Sequence, residues 1–287
     1  MKKINIAVIG GGASGLFYAM TAADLLKKER INAQITVFEK ENRIGRKLLA
    51  TGNGKCNLSN EKSGGAFYSG SFAQCADTLL QKYNAQNIAG KFKRYGLYCT
   101  PDSEGRIYPY SRQASAVLDC MLIKLEGEKS VVVKCGEAVN RVKAENGDYA
   151  VVTDSGEYRS DYVIMAFGGM ATPSLGSDGS GFGLLRSMGI TVNKPFPSLC
   201  PVYVQGKRLK NLKGIRCKCA ASLIGDGDML KTEYGELQIT ENALSGICIF
   251  QLSRYINEFF ALGTADGKKV AKILIEQILL FLFTETD

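Results

Sequence analysis

The sequence predicts an α/β chain, with a doubly wound parallel sheet near its start and a mostly antiparallel β domain after it. Three observations predict this. Residues 4–9 are apolar and β-branched and run into Gly10-x-Gly12-x-x-Gly15, after which residues 16–26 have helical spacing. Residues 35–39 form a second such run, ending in Glu39. From about residue 192 the pattern changes to short alternating runs, and Pro195, Pro197 and Pro201 punctuate the crossing.

Strand, tight turn and helix follow one another in the order of a dinucleotide-binding βαβ unit, so the first domain reads as Rossmann-like. Gly10 permits the sharp turn, Gly12 lets a pyrophosphate approach the backbone, and Gly15 lets the helix pack against the strand. The helix then directs its free N–H groups at the phosphates. Glu39, at the end of the second strand, is placed to accept hydrogen bonds from both ribose hydroxyls of an adenosine. A structural turn beside a surface glutamate is the plainer alternative, and the flanking strand and helix argue against it.

Residues 42–60 interleave basic residues, small residues and glycines, a composition suited to an anion-binding nest of backbone N–H groups. Gly54-Lys55 is not a P-loop: Leu49 stands where the first glycine belongs and Cys56 where Ser or Thr belongs. Residues 71–83 and 87–95 read as helices. Residues 97–100 and 106–110 read as short strands around a turn, and 114–124 as an amphipathic helix with Ser111 as its N-cap. Strand pattern resumes at 131–135. Runs at 137–142, 149–153 and 157–159, joined by Asn146-Gly147 and Ser155-Gly156, read as a three-stranded meander that forms the crossover. Residues 162–167 are nearly all apolar and end in Gly168-Gly169, the pattern of a central parallel strand beside the first. A glycine-rich loop at 176–183 and a helix at 184–188 follow. In the second domain, runs at 202–204, 217–224 and 235–240 read as strands, with Asp226-Gly227 a hairpin signal. Residues 247–260 and 270–283 read as helices, the latter too short and too charged for a membrane span.

The chain has 287 residues and a formal net charge of +8, dispersed in short basic pairs rather than one block. That is the charge of a solvated surface and not a nucleic-acid footprint. Nine cysteines without framework spacing, and no signal peptide, point to reduced thiols in the cytoplasm. Cys217 and Cys219 share a strand face but do not make a zinc site. Histidine is absent, which excludes Ser-His-Asp and Cys-His catalysis and histidine metal ligation. Chemistry must come from a cofactor or from other side chains.

Five stretches in order resemble one family: Gly10-x-Gly12-x-x-Gly15; the block from Gly45 through Arg46, Lys47, Gly52, Gly54, Lys55 and Cys56 to Asn57; Ala166-Phe167-Gly168-Gly169; Gly235-Glu236-Leu237-x-Ile239-Thr240; and Leu244-Ser245-Gly246. Together they resemble the BaiN-like (YhiN-like) NAD(P)/FAD-dependent oxidoreductases. The resemblance implies an FAD-binding Rossmann-like domain over 1–191, interrupted by an inserted substrate-side domain over 192–287. It implies that Gly10, Gly12, Ala13, Ser14 and Gly15 hold the FAD pyrophosphate and that Glu39, beside Lys40, takes the adenosine ribose. Arg46, Lys47, Thr51, Gly52, Gly54, Lys55, Cys56 and Asn57 are implied to line the phosphate and flavin side. Val139 is implied to touch the adenine, and Ala166, Gly168 and Gly169 to flank the cofactor. Lys55 stands where the family more often has arginine, and Phe167 where it commonly has threonine. Family members also carry a further glycine-rich return to the FAD domain, and nothing after Leu262 matches it.

The expected function is a cytoplasmic flavoprotein oxidoreductase that passes hydride between FAD and a small organic substrate, with NAD(P)H as the expected donor and no nucleic-acid or membrane partner. The competing readings are a truncated, non-catalytic FAD- or ADP-binding remnant and a flavoprotein that acts on RNA. The sequence singles out no catalytic acid or base and no metal site.

Overall fold

The opening apolar run divides its side chains between two layers. In the computed structural model, which describes residues 3–261 and 271–277 apart from 69, 71, 146, 205 and 206, it forms strand β1 (Ile4–Ile9). Ile6 and Val8 enter one core with helix α1 (Ala13–Lys28), whereas Ala7 and Ile9 face the other side. This is the two-residue period of a strand buried on both faces. The chain divides into two units, Met1–Val192 and Asn193–Asp287.

In the first unit α1 buries Leu16, Ala19, Met20 and Ala23, one stripe at helical spacing. Strand β2 (Ala33–Glu39) follows, then α2 (Arg46–Ala50), β3 (Ser59–Asn60), α3 (Phe72–Lys82) and α4 (Ala85–Arg94). The Asn84 side chain caps α4 by accepting from the Asn87 N–H at 2.9 Å. Strands β4 (Cys99–Pro101) and β5 (Arg106–Pro109) pair antiparallel and lead to α5 (Ala114–Glu126) and β6 (Val131–Cys135). The meander is β7 (Val139–Glu145), β8 (Asp148–Thr153) and β9 (Gly156–Ser160), and β10 (Tyr162–Met165) and α6 (Ser180–Ser187) complete the unit.

The main sheet has the order β10-β1-β2-β6, with each neighbouring pair parallel. Helices α1 and α5 cover one face through Leu16, Met20, Val117 and Met121. The meander contributes Val151 to a cluster with Ala7 and Phe38 on the other face. The doubly wound fold with its meander crossover is therefore present. In the β2–β6 register Glu39 lies opposite Cys135.

Three local expectations change. Strand β10 does lie parallel to β1, but among the described residues it is a sheet edge rather than a central strand. The N-cap of α5 is Gln113; Ser111 instead accepts from the Gln113 N–H at 3.4 Å. Helix α6 begins at Ser180 with Gly179 as its N-cap in the left-handed region, and Asp178, one residue earlier, accepts the Ser180 N–H at 3.0 Å. Of the predicted turn Asn146-Gly147, Asn146 lies outside the described residues, as does Ser71 of the first predicted helix.

Among its described residues the second unit holds a five-stranded sheet in the order β11-β14-β13-β12-β15. Its strands are β11 (Val202–Tyr203), β12 (Arg216–Gly225), β13 (Asp228–Ile239), β14 (Ala243–Ser245) and, after α7 (Ile247–Ala261), β15 (Ala271–Gln277). Asp226 and Gly227 both have positive φ, 52° and 104°, as a tight two-residue hairpin requires. Alternate β12 residues Cys219, Ala221 and Leu223 meet Cys248, Ile249 and Leu252 of α7 in a core. The Cys219 and Cys248 sulfurs are 3.9 Å apart as free thiols.

The predicted helix over 270–283 is overturned where it is described. Residues 271–277 form β15, which pairs antiparallel with β12. Ile273 and Ile275 point at the core while Lys272 and Leu274 are exposed. A short apolar run rich in isoleucine fits either period, and the open edge of β12 decides it. Residues 270 and 278–283 lie outside the described set. Among the described residues no helix is long and apolar enough to cross a membrane.

Candidate dinucleotide site

The parallel sheet ends its strands at one edge, and there the chain leaves β1 through the glycine turn. Gly10 has φ +110°, and a Cβ on it would lie 2.5 Å from the Ala166 carbonyl oxygen of the chain leaving β10. A Cβ on Gly15 would lie 2.0 Å from the Gly10 oxygen, so α1 starts closer to β1 than any other residue permits. Gly12 differs from both: among the described residues nothing lies within 4 Å of its Cβ position, and it lines a cleft of about 840 Å³. A side chain there would occupy the cleft itself.

Ala13 and Ser14 also line this cleft. Helix α1 has no side-chain cap and no acidic residue in its first turn. The first N–H groups of a helix lack intrahelical partners, so this end offers donors and a positive dipole to an anion. Beside it the Glu39 carboxylate is held at both oxygens. Oε2 accepts from the Gly11 N–H at 2.8 Å and Oε1 from the Glu41 N–H at 2.9 Å. The carboxylate is thereby oriented at the strand end by the chain's own backbone.

The basic loop supplies charge. Lys40 Nζ pairs with Asp178 at 2.7 Å, and this hydrogen bond, with those from Ser180, holds the Asp178 carboxyl well below the usual range. Arg46 pairs with Glu41 and donates to the Ser174 carbonyl at 3.1 Å, while Lys47 donates to Ser177 Oγ at 2.8 Å. Farther along, Gly52, Asn53, Gly54 and Cys56 all have positive φ, so the loop curls back on itself. Cys56 is buried in the lining; burial pushes its thiol up against a hydrogen bond with Thr51 that lowers it. Helices α1, α4 and α5 add an apolar wall of Phe17, Ile88, Phe92, Val117 and Met121.

The cleft brings together Gly10, Gly12, Ala13, Ser14, Glu39, Lys40, Arg46, Lys47, Thr51, Cys56, Asn57, Val139, Ala166 and Gly168. Gly15, Gly52, Gly54, Lys55 and Gly169 stand outside its lining. Sequence reasoning missed Glu41, Arg43, Glu137, Asn140, Ser177 and Asp178, which also line it. The Asp178-Gly179-Ser180 run was a readable turn signal at Asp178, whose side chain bonds the backbone two residues on. The apolar wall has no local signature, because its residues look like any helix core.

The residues fit the diphosphate and ribose of a dinucleotide: a glycine opening that a side chain would fill, helix N–H donors, and an oriented carboxylate. The family comparison concerns the fold. Residues 4–280 match the model of the HI0933-like protein Rossmann domain. The chain belongs to the HI0933-like family. It is 36% identical over 266 residues to the 3-dehydro-bile acid delta(4,6)-reductase of Clostridium scindens, covering 93% of this chain and 63% of that protein. It is 25% identical over 253 residues to the ribosomal RNA dihydrouridine synthase of Haemophilus influenzae, covering 86% of this chain and 60% of that one. The chain thus spans about three fifths of these two relatives. Among solved structures it is similar to Escherichia coli quinol fumarate reductase FrdA, with TM-score 0.39, 13% identity, and coverage of 60% of this chain and 34% of that one. The BaiN-like resemblance and the Rossmann-type fold are both met.

Proposed function

We propose that this chain binds FAD in the cleft at the glycine turn and acts as part of a flavin-dependent oxidoreductase on a small organic substrate, with NAD(P)H as electron donor. The observation that carries the reading is the pairing of an open Gly12 with a Glu39 carboxylate already fixed by two backbone N–H groups. In this reading residues 1–191 are the FAD-binding domain and 192–287 the inserted substrate-side domain. The α1 N-terminus holds the diphosphate, Glu39 the adenosine ribose, and the Val139 side of the cleft the adenine. Arg46, Lys47 and the loop from Thr51 to Asn57 face the phosphate and flavin side, where Gly52, Gly54 and Lys55 shape the loop. The bound flavin supplies hydride transfer. The chain's own residues bind and orient it, and the apolar wall excludes water. Nine unpaired cysteines are in keeping with a reducing cytoplasm.

The test is titration of the purified chain with FAD, followed by flavin fluorescence and then by bleaching under NADH or NADPH. Saturable uptake and bleaching are expected. A chain that takes up neither FAD nor ADP would sink the proposal.

A second reading, a flavoprotein that reduces a base in RNA, is favoured by one surface. Tyr98 and Tyr110 are 63% and 77% exposed and are joined by a Tyr110 N–H to Tyr98 carbonyl bond of 2.8 Å. Lys93 lies 5.7 Å from the Tyr98 ring, and Arg112 lies 4.7 Å from the ring of the buried Tyr108. Exposed aromatics with adjacent cations suit stacked, single-stranded bases. The similarity to a ribosomal RNA dihydrouridine synthase points the same way. Anisotropy of a labelled single-stranded RNA, with Tyr98→Ala/Tyr110→Ala as comparison, separates the readings. Equal, weak binding by both proteins leaves only the small-molecule reading.

A further inference from the structure

The order β10-β1-β2 places the turn after β1 between the chain segments that leave its two neighbours, all at the same sheet edge. Those two flanking segments are joined to each other. Lys40 Nζ, one residue past β2, meets Asp178 Oδ2 at 2.7 Å and Ser180 Oγ at 3.4 Å. Lys47 Nζ donates to Ser177 Oγ at 2.8 Å, and Arg46 donates to the Ser174 carbonyl at 3.1 Å. Lys40, Arg46, Lys47, Ser177 and Asp178 all line the cleft. The contacts therefore bridge the glycine turn from one side to the other.

The far side of the bridge is a stiff element. Thr172 and Ser177 exchange backbone hydrogen bonds of 3.1 and 3.3 Å, closing the loop on itself. Asp178 Oδ1 is occupied by the Ser180 N–H at 3.0 Å and the Ser180 hydroxyl at 2.7 Å. That leaves Oδ2 aimed at Lys40. These bonds tie the loop to itself, so its cross-cleft contacts are mechanically linked.

We propose that Asp178 and Ser177 form a latch with Lys40 and Lys47 over the mouth of the dinucleotide cleft, and that opening of this latch governs how fast the dinucleotide enters and leaves. The inference rests on the FAD reading of the cleft. In this proposal the latch closes again behind the bound dinucleotide, so it acts on rates in both directions and leaves affinity nearly unchanged. Its contacts are partly exposed, with side-chain accessibilities of 29% for Lys40 and 44% for Asp178, so each is individually weak.

The test is stopped-flow measurement of FAD binding to the full chain, with association read from flavin fluorescence and dissociation from a chase. For Asp178→Asn both rates are expected to rise about threefold, and for Asp178→Asn/Ser177→Ala about tenfold, with Kd within about twofold of wild type. Lys28→Met, on the exposed surface, serves as the control. If the Asp178 variants melt early, Ser177→Ala alone, which removes one hydroxyl, is measured in their place. Rates within about twofold of wild type in the double variant overturn the latch. So does a faster dissociation with unchanged association, because that marks Asp178 as a ligand contact. If wild type takes up no FAD, the reading of the cleft fails and the latch falls with it; if wild type binds and the variants match it, only the latch fails.

Discussion

Two helices of this protein start at glycine junctions with a strand, and the two junctions end differently. At α1, Gly10 and Gly15 bring helix and strand together, yet Gly12 faces open space and the helix end has no side-chain cap. At α7 the approach is as close: a Cβ on Gly246 would lie 2.1 Å from the Glu236 oxygen, and one on Gly235 would lie 2.4 Å from Ile247. There the space is filled. The Cys248 thiol donates to the Glu236 carbonyl at 3.5 Å and sits against Cys219 in a buried apolar core. Glycine at a strand-to-helix junction thus reports a close approach in both places. The open position in the middle is what sets the α1 junction, where we propose that the dinucleotide binds, apart from the α7 junction.

Substitutions separate these roles. The largest effect is expected where both junctions are alike. Gly15→Val and Gly246→Val each place a side chain into backbone and should cost about 3 kcal/mol or more in urea unfolding. Gly12→Val should break the likeness. Its extended backbone tolerates valine, so stability should change by about 1 kcal/mol or less while FAD affinity falls about 100-fold in a fluorescence titration. If Gly12→Val unfolds the chain as Gly15→Val does, the opening is structural. Glu39→Ala removes an acceptor for charged hydrogen bonds and should weaken FAD binding about tenfold, against little change for the exposed Glu157→Ala; equal affinities would contradict the ribose assignment. The smallest effect belongs to the filled junction. Burial raises the Cys219 thiol to about 12, with Cys248 adding to it, so alkylation at pH 8 should leave Cys219 unmodified in the folded chain and reach it in urea. Modification at equal rates in both would mean that this core opens.

What could be read from the sequence was local. The turn from 10 to 15, the Asp226-Gly227 hairpin and the meander each follow from a few adjacent residues whose backbone needs are specific. Residues 271–277 were misread because their partner, β12, lies about 50 residues earlier in the chain and supplies the period they adopt. The edge position of β10 was missed for a related reason: an apolar strand announces burial of its faces, not how many neighbours it has. In the cleft, Glu39 was visible at the end of its strand. The bond from Lys40 to Asp178 spans 138 positions in sequence, and no short pattern encodes it. The Ser111 cap failed because a serine two residues early can bond the backbone without starting a helix.

The β2–β6 register has a use beyond the fold. It sets Cys135, an exposed thiol, directly across from Glu39. Burial and the neighbouring glutamate raise its thiol, so it reacts more slowly than exposed cysteines without that neighbour. With Cys75 replaced by serine, Cys135 is the remaining exposed cysteine. A dye attached there would sit beside the carboxylate assigned to the ribose, and its emission would report occupancy of the cleft in real time.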